Sequence, residues 1–489
     1  MTKKDGYFIA LTIITSITLF AFVFWIGFPG YFQEGDIYNS LSVTTDHWHP
    51  IIIARFVQSL YFLFGKHSFY LFFLNIFCFY AGFSFFIIAL YLRTKYFFWY
   101  ALFFITVIGN IFFQNFIQYH SFTFPMLLWL GCSMVFFQIL VHIRNRYIAL
   151  SLRSLTFTIF LLSLMWRHNA IITIYPMFIL FIYVYMKSIS SRSLTIYTVR
   201  FISMMIASAL FLVVIVKLHP YVLSDNISKI TANHIFLHQI AGMVVPNNDS
   251  SFIPQEWYEK NKDFQDVKEM YEKYPTIADP FNVGWEPYNS NRPFKRGTLN
   301  NLKILWFKGI IAYPHNYIRH ISRFYKEMWF QEPGWIFNSG QIQAAPVHPW
   351  HVNIASNFKK NERHIKFSTL KEGIYNFLYK EKILLNHIVG IIIGFVVLFS
   401  SCCLWLFPSF RADGLLFALS TSLSACCTAI TVCIFSPYAD PRYMSPVLVL
   451  SLISLIGLCA HFVQLGSSKN NNEQYFQDHL VKKRYLRIQ

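Results

Sequence analysis

Charge is scarce in this chain. Asp, Glu, Lys and Arg make up 13% of the 489 residues, roughly half the ~25% usual in a soluble domain. Acids are scarcer still, 23 against 41 Lys and Arg, which leaves a formal charge of +18. With 55% hydrophobic residues and a mean hydropathy of +0.41, this excludes an ordinary soluble globule and points to a polytopic membrane protein. The basic residues form no single patch, which argues against nucleic acid as a partner. They sit in short clusters between apolar runs, as the positive-inside rule expects. A disulfide framework is also missing: Cys78, Cys132, Cys402, Cys403, Cys426, Cys427, Cys433 and Cys459 all fall in or beside apolar runs, where they read as small packing residues. Their spacings do not suggest zinc. Gly-rich phosphate loops, G-x-G-x-x-G and G-x-S-x-G are absent, so a nucleotide-using fold is not indicated. We find no internal repeat and no low-complexity segment.

What is present is a series of apolar runs near the ~20 residues that a bilayer crossing needs. Ten spans are expected, at 7–28, 68–92, 96–113, 124–142, 155–169, 171–187, 197–218, 384–407, 413–435 and 445–465. The runs do not alternate as barrel strands would, so the expected fold is an all-α membrane protein. The fifth and sixth runs are short and meet at Arg167 to Asn169, as one hairpin or a distorted pair. The first run follows Lys3 and Lys4 and resembles a signal peptide. It is too long, however, and bulky Trp25, Phe28 and Tyr31 follow it, so we expect an uncleaved span. Arg93, Lys95, Arg144, Arg146, Arg153, Lys187, Arg192, Arg200, Arg411 and the basic tail put the N-terminus, the 143–154 connection and the tail in the cytoplasm. Ile51–Phe64 is too short to span and is expected to lie in the outer interface. The divisions read from this pattern are a membrane module over 1–218 with an outer loop at 29–66, a large outer loop over 219–380 with mixed short helices, membrane helices over 381–466, and a basic tail over 467–489. Pro220, Pro246, Pro254, Pro275, Pro280 and Pro293 are expected to break the first half of the large loop into turns. A helix is expected after Pro314, with Arg319, Arg323 and Lys326 along one face.

Three polar clusters share the outer face in this topology. The first is Glu34, Asp36, Asp46 and His49 in the loop after the first span. The second is Arg167, His168 and Asn169. The third is Tyr438, Asp440, Arg442 and Tyr443 before the last span. Acids opposite arginines suit a hydroxyl that must lose a proton and a phosphate held by guanidinium forks. The plainer readings are Arg167 as an interface anchor and Asp440 with Arg442 as a helix-end ion pair. The His-rich HWHP at 47–50 and HPWH at 348–351 have no carboxylate-histidine spacing that supports a metal site.

At these residues the chain resembles the polytopic glycosyltransferases of the C superfamily, which take sugars from polyprenyl-phosphate carriers. The match is Asp36 in the first outer loop, His49 and Pro50 opening a juxtamembrane helix to Phe64, Gly65 before the second span, RHN at 167–169 and RYMSP at 442–446. The layout of about ten spans with a late outer loop is similar to that of the phage-type serotype-converting O-antigen glucosyltransferases. The resemblance implies a GT-C-like fold in a bacterial inner membrane, with the active site facing the periplasm. It implies transfer of a hexose, glucose first, from undecaprenyl phosphate to a hydroxyl of a surface polysaccharide such as the O-antigen of lipopolysaccharide. Asp36 would be the base, helped by Glu34 or Asp46. The family often has adjacent acids; here Gly35 separates Glu34 from Asp36, so the base is one or the other. Arg167, His168, Arg442 and Tyr443 would hold the donor phosphate, and His49, Asn169, Arg319 and Arg323 would contact substrate. No cofactor is implied beyond the lipid-linked donor, and a divalent metal is left open. Two other classes fit the layout: a polysaccharide polymerase, which needs no acid in the first loop, and a flippase or transporter, which would place ionisable residues near mid-span and show repeat symmetry.

Overall fold

A computed structural model describes residues 2–30, 50–96, 120–141, 143–167, 170–187, 194–223, 233–282, 291–297, 299–331, 349–362, 365–380, 387–463 and 465. Sixteen helices are defined among them. In chain order they are α1 (Lys3–Gly27), α2 (Ile51–Phe64), α3 (Tyr70–Thr94), α4 (His120–Leu140), α5 (Arg146–Met165), α6 (Ala170–Lys187), α7 (Leu194–Leu223) and α8 (Asn233–Val244). There follow α9 (Phe264–Lys273), α10 (Leu302–Ala312), α11 (Pro314–Phe330), α12 (Pro349–Ser356), α13 (Thr369–Lys380), α14 (His387–Trp405), α15 (Asp413–Phe435) and α16 (Ser445–Val463). Among the described residues the only β structure is two isolated bridges, Tyr258 with Phe294 and Ile277 with Tyr438.

Nine of these helices are long and apolar enough to cross a bilayer: α1, α3 to α7 and α14 to α16. The protein is therefore an all-helical, multi-pass membrane protein. The expected span at 96–113 falls, beyond Tyr96, outside the described residues. α2 is a separate helix of 14 residues, about 21 Å long and too short to cross. It ends where Gly65, at φ 87°, donates its N–H to the Tyr61 carbonyl.

Two expected boundaries are corrected. The 143–154 connection is mostly helix, because the Asn145 side chain accepts the N–H groups of Tyr147 and Ile148 and starts α5 at Arg146. Arg153, which interrupts the apolar run, lies along the helix with its guanidinium 5.7 Å from the Tyr185 ring centre. α5 is thus 20 residues long, and α5 and α6 are two separate spans. Likewise Pro220 does not end α7, which continues to Leu223. There Arg55 Nε on α2 donates to the Leu223 carbonyl at 2.7 Å, supplying a cation and a donor to exposed helix-end carbonyls.

α4 and α16 are largely enclosed by other helices, whereas α1, α5 and α7 present most of their surface outward. α4 packs tightly on α3. A Cβ at Gly82 would lie 2.4 Å from the Trp129 ring, and Trp129 Nε1 donates to the Phe79 carbonyl at 2.9 Å. Side-chain hydrogen bonds join Ser16 to Ser84 (2.8 Å), Thr173 to Thr428 (2.7 Å) and Gln138 to Thr156 (2.9 Å) across helices, the usual polar glue of membrane bundles. The run of up and down helices defines two ends. The lower end holds the Lys95–Asp5 and Lys187–Asp413 ion pairs at 2.7 and 2.6 Å. The upper end holds α2, the α5–α6 turn and the α15–α16 turn.

The segment between α7 and α14 sits at the upper end with a hydrophobic cluster of its own, centred on α8 and including Trp257, Tyr271, Phe281 and Phe294. Pro246 and Pro280 occupy early positions of short 3-10 turns, where a missing N–H costs nothing. The helix expected after Pro314 is α11; it buries His320, Ile321, Phe324 and Met328, while Ile318 is 63% exposed. This segment docks on the bundle through main-chain groups. Ala278 N–H donates to the Pro437 carbonyl at 2.7 Å, and Ala439 N–H donates to the Thr276 carbonyl at 3.1 Å. Buried Gln239 donates to the Ile434 carbonyl at the end of α15 and accepts from Trp306 Nε1.

Candidate functional site

α5 ends at Met165, and the Trp166 N–H still bonds to the Leu162 and Ser163 carbonyls. The turn is closed when the Ala170 N–H donates to the Arg167 carbonyl at 3.1 Å, which fixes Arg167 at the mouth of the bundle. Its guanidinium carbon lies 4.7 Å from the ring centre of Tyr443, within cation–π range. Tyr443 belongs to the 3-10 turn Pro441–Met444, where its N–H donates to the Asp440 carbonyl at 3.1 Å. The bridge of Ile277 to Tyr438 holds the chain just before this turn. Arg167 and the 440–445 stretch, 276 positions apart at Tyr443 (443 − 167), are therefore neighbours.

Trp166 brings in the third stretch. It is 1% exposed, and its ring meets the edge of Phe56 at 5.5 Å and 70°. Phe56 lies six residues into the helix that Pro50 opens, about 9 Å along the axis. The indole Nε1 of Trp166 is buried with no hydrogen-bond partner among the described residues, an N–H donor that hydrogen-bonding rules require to be met. At the other end of the first loop, Gly30 has φ 88°, and a Cβ there would fall 2.2 Å from Phe72. Both conditions favour glycine.

The expected site residues therefore divide. Arg167 and Tyr443 are together. Glu34, Asp36, Asp46, His49, His168 and Asn169 lie outside the described residues, and of Arg442 only the backbone is described. Arg319 is exposed on α11. Arg323 turns to the α8–α9 side, where it donates to the Tyr271 hydroxyl at 3.3 Å and lies 5.7 Å from that ring centre, so its contacts are not with the Arg167–Tyr443 pair. The histidines of both His-rich motifs have no described side chain. Among the described residues no group of three or more His, Cys, Asp or Glu is placed to hold a metal ion.

Two further polar groups were not foreseen from the sequence. Glu362 is 4% exposed. One carboxylate oxygen lies 2.8 Å from His67 Nδ1, the other accepts the Ser68 N–H at 3.2 Å, and its carbonyl accepts the Ser68 hydroxyl at 2.8 Å. This clamp ties the α2–α3 corner to the segment before α14. Burial, and then Tyr70 and the Glu362 carboxylate, push the nearby Tyr61 phenol above its ordinary range. The second group is a set of buried histidines. His238 Nε2 is 3.1 Å from the Tyr274 carbonyl, so it carries the proton there. His320 Nδ1 is 2.9 Å from the Tyr271 hydroxyl. Burial drives His238 down to about 3 and His234 down to about 4; burial and then His238 and Arg323 also lower His320. All three are therefore neutral packing elements at neutral pH. A lone acid or histidine in a polar loop carries no sequence signal for such partners, because the partners come from distant positions.

Compared with protein-family models, characterised proteins and solved structures, the chain matches none.

Proposed function

We propose that the upper end is the active site of an inverting glycosyltransferase with a GT-C-like fold. It moves a hexose, glucose first, from undecaprenyl phosphate to a hydroxyl of a surface polysaccharide such as O-antigen, on the periplasmic face of a bacterial inner membrane. The observation that carries this reading is the meeting of three separate stretches. Arg167 stacks on Tyr443, and Trp166 packs on Phe56 of the helix that His49 and Pro50 precede. A guanidinium beside a phenol and an uncommitted indole N–H suits an anionic leaving group.

In this reaction the Asp36 carboxylate takes the proton of the acceptor hydroxyl. The freed oxygen pair bonds to the anomeric carbon as the bond from that carbon to the phosphate oxygen breaks. The electron pair leaves with the lipid phosphate, whose growing charge Arg167 and Arg442 hold. Base and leaving group must lie on opposite faces of the sugar, which inverts the anomeric centre.

Turnover of labelled polyprenyl-phosphate glucose by the purified protein tests this. Asp36→Asn keeps size but not basicity, so turnover should fall about 10²–10⁴-fold with donor binding retained. Glu34→Gln and Asp46→Asn should be milder. Wild-type turnover in all three variants would contradict the proposal.

A further inference from the structure

The lower end, opposite the proposed active site, holds two openings on the α5–α6 pair. The first is a half-open cavity of about 780 Å³ between the ends of α3, α4 and α6, the first turns of α5 and the α14–α15 turn. That volume falls in the range of small-molecule sites, roughly 300–1,000 Å³. Its lining carries four cations, Arg93, Arg153, Lys187 and Arg411, against one acid, Asp413. The acid is taken by Lys187 at 2.6 Å. Arg411 spends its Nε on the Trp405 carbonyl at 2.9 Å, which leaves the rest of its fork. Arg153 lies over Tyr185. Such a surplus of guanidinium groups around a concavity suits a phosphate.

The second opening is an apolar groove of about 590 Å³ between α5, α6 and α7, lined by Phe157, Phe178, Phe181 and Phe211 among others. Along α5 it runs from Leu150 to Thr158, about 12 Å of helix, on the side where α5 and α7 present apolar surface outward. Arg153 lines both openings. A charged head site and an apolar tail site joined at one arginine match an amphiphile with an anionic head.

We propose that the lower end binds one anionic glycerophospholipid, its phosphate among the arginines and an acyl chain in the groove. Gln138 selects among phosphate lipids. It lines the cavity, its amide nitrogen donates to the Met134 carbonyl and the Thr156 hydroxyl, and its Oε1 is buried without a partner among the described residues. A headgroup hydroxyl, as in phosphatidylglycerol, supplies the missing donor; a choline headgroup has none to give.

The test is native mass spectrometry and thermal melting of the full-length protein after delipidation, with added phosphatidylglycerol, phosphatidylcholine or inorganic phosphate. Phosphatidylglycerol should be retained as a single adduct and raise the melting midpoint, and the other two should do so weakly or not at all. The double variant Arg93→Gln with Arg411→Gln should bind it roughly tenfold or more weakly, as expected for lost charge-assisted contacts. Ala207→Trp, which fills the groove, should weaken it with every arginine in place. Equal retention of phosphatidylcholine by the wild-type protein would overturn the proposal without any variant. So would an inorganic-phosphate shift as large as the lipid's, or indifference to Ala207→Trp in a variant that melts cooperatively.

Discussion

Arg167 is held by its own turn and by the Tyr443 ring, and its role is open to a conservative change. Arg167→Lys keeps the charge but loses the planar fork and its stacking. Turnover should drop roughly tenfold or more, as for a charge-assisted bidentate contact, with normal membrane levels by immunoblot. Arg442→Lys should act in the same way. Wild-type turnover in both would return the two arginines to the role of interface anchors. Glu362 should behave oppositely. Glu362→Gln replaces one of the two carboxylate oxygens, which face His67 and Ser68 respectively, with an amide nitrogen, and a mismatched buried group costs about 1–3 kcal/mol. We expect a lower melting temperature with unchanged turnover per folded molecule; a loss of turnover at full stability would place Glu362 in the chemistry. The three polar stretches were legible in the sequence because ionisable residues stand out against apolar runs. That the Arg167 and Tyr443 stretches share the outer face followed from topology and the resemblance; the stack of one on the other did not, since no local pattern encodes a contact across hundreds of positions.

Among the elements, α8, α9 and α11 depend on neutral histidines at His234, His238 and His320. Their folded values are lowered, to about 4 and about 3 for the first two, from an ordinary value near 6.5. Between those limits the unfolded segment binds more protons than the folded one. Its stability is therefore complete above about 6.5 and is lost as pH falls below that value. Hydrogen exchange across 233–331, corrected for intrinsic rates, should show less protection at pH 5 than at pH 7.5. Equal protection at both would mean that these histidines are not buried neutral. Helix types were readable from run length and from the proline at the start of α11, whereas ends were not. α5 begins at Arg146 because an Asn cap and a stacked arginine override what a hydropathy window sees, and α7 continues through Pro220 to Leu223. Chain breaks set by backbone geometry are equally hidden: Gly30 needs both a positive φ and the space that Phe72 takes up.

For the whole molecule, the basic residues at the lower end predict a cytoplasmic lower face and an outer upper face. Single cysteines at Ser40 and Ser290, in a background without native cysteine, should react with an impermeant thiol reagent in intact spheroplasts. Labelling of Ser40→Cys only after lysis would reverse the sidedness. The multi-pass helical class followed from sparse charge together with the length and the lack of alternation of the apolar runs. The proposed function did not, since it rests on acids that the proposal takes from the first loop and on arginines from two other turns. The reaction proposed for the upper end is transfer of a lipid-linked hexose to a surface polysaccharide. The most direct measurement is mass-spectrometric and linkage analysis of surface polysaccharide from cells with the gene, without it, and with Asp36→Asn. One added hexose per repeat unit is expected in the first, and none in the other two. Identical repeat units in all three, or a change in chain length without any change in repeat-unit composition, would contradict it.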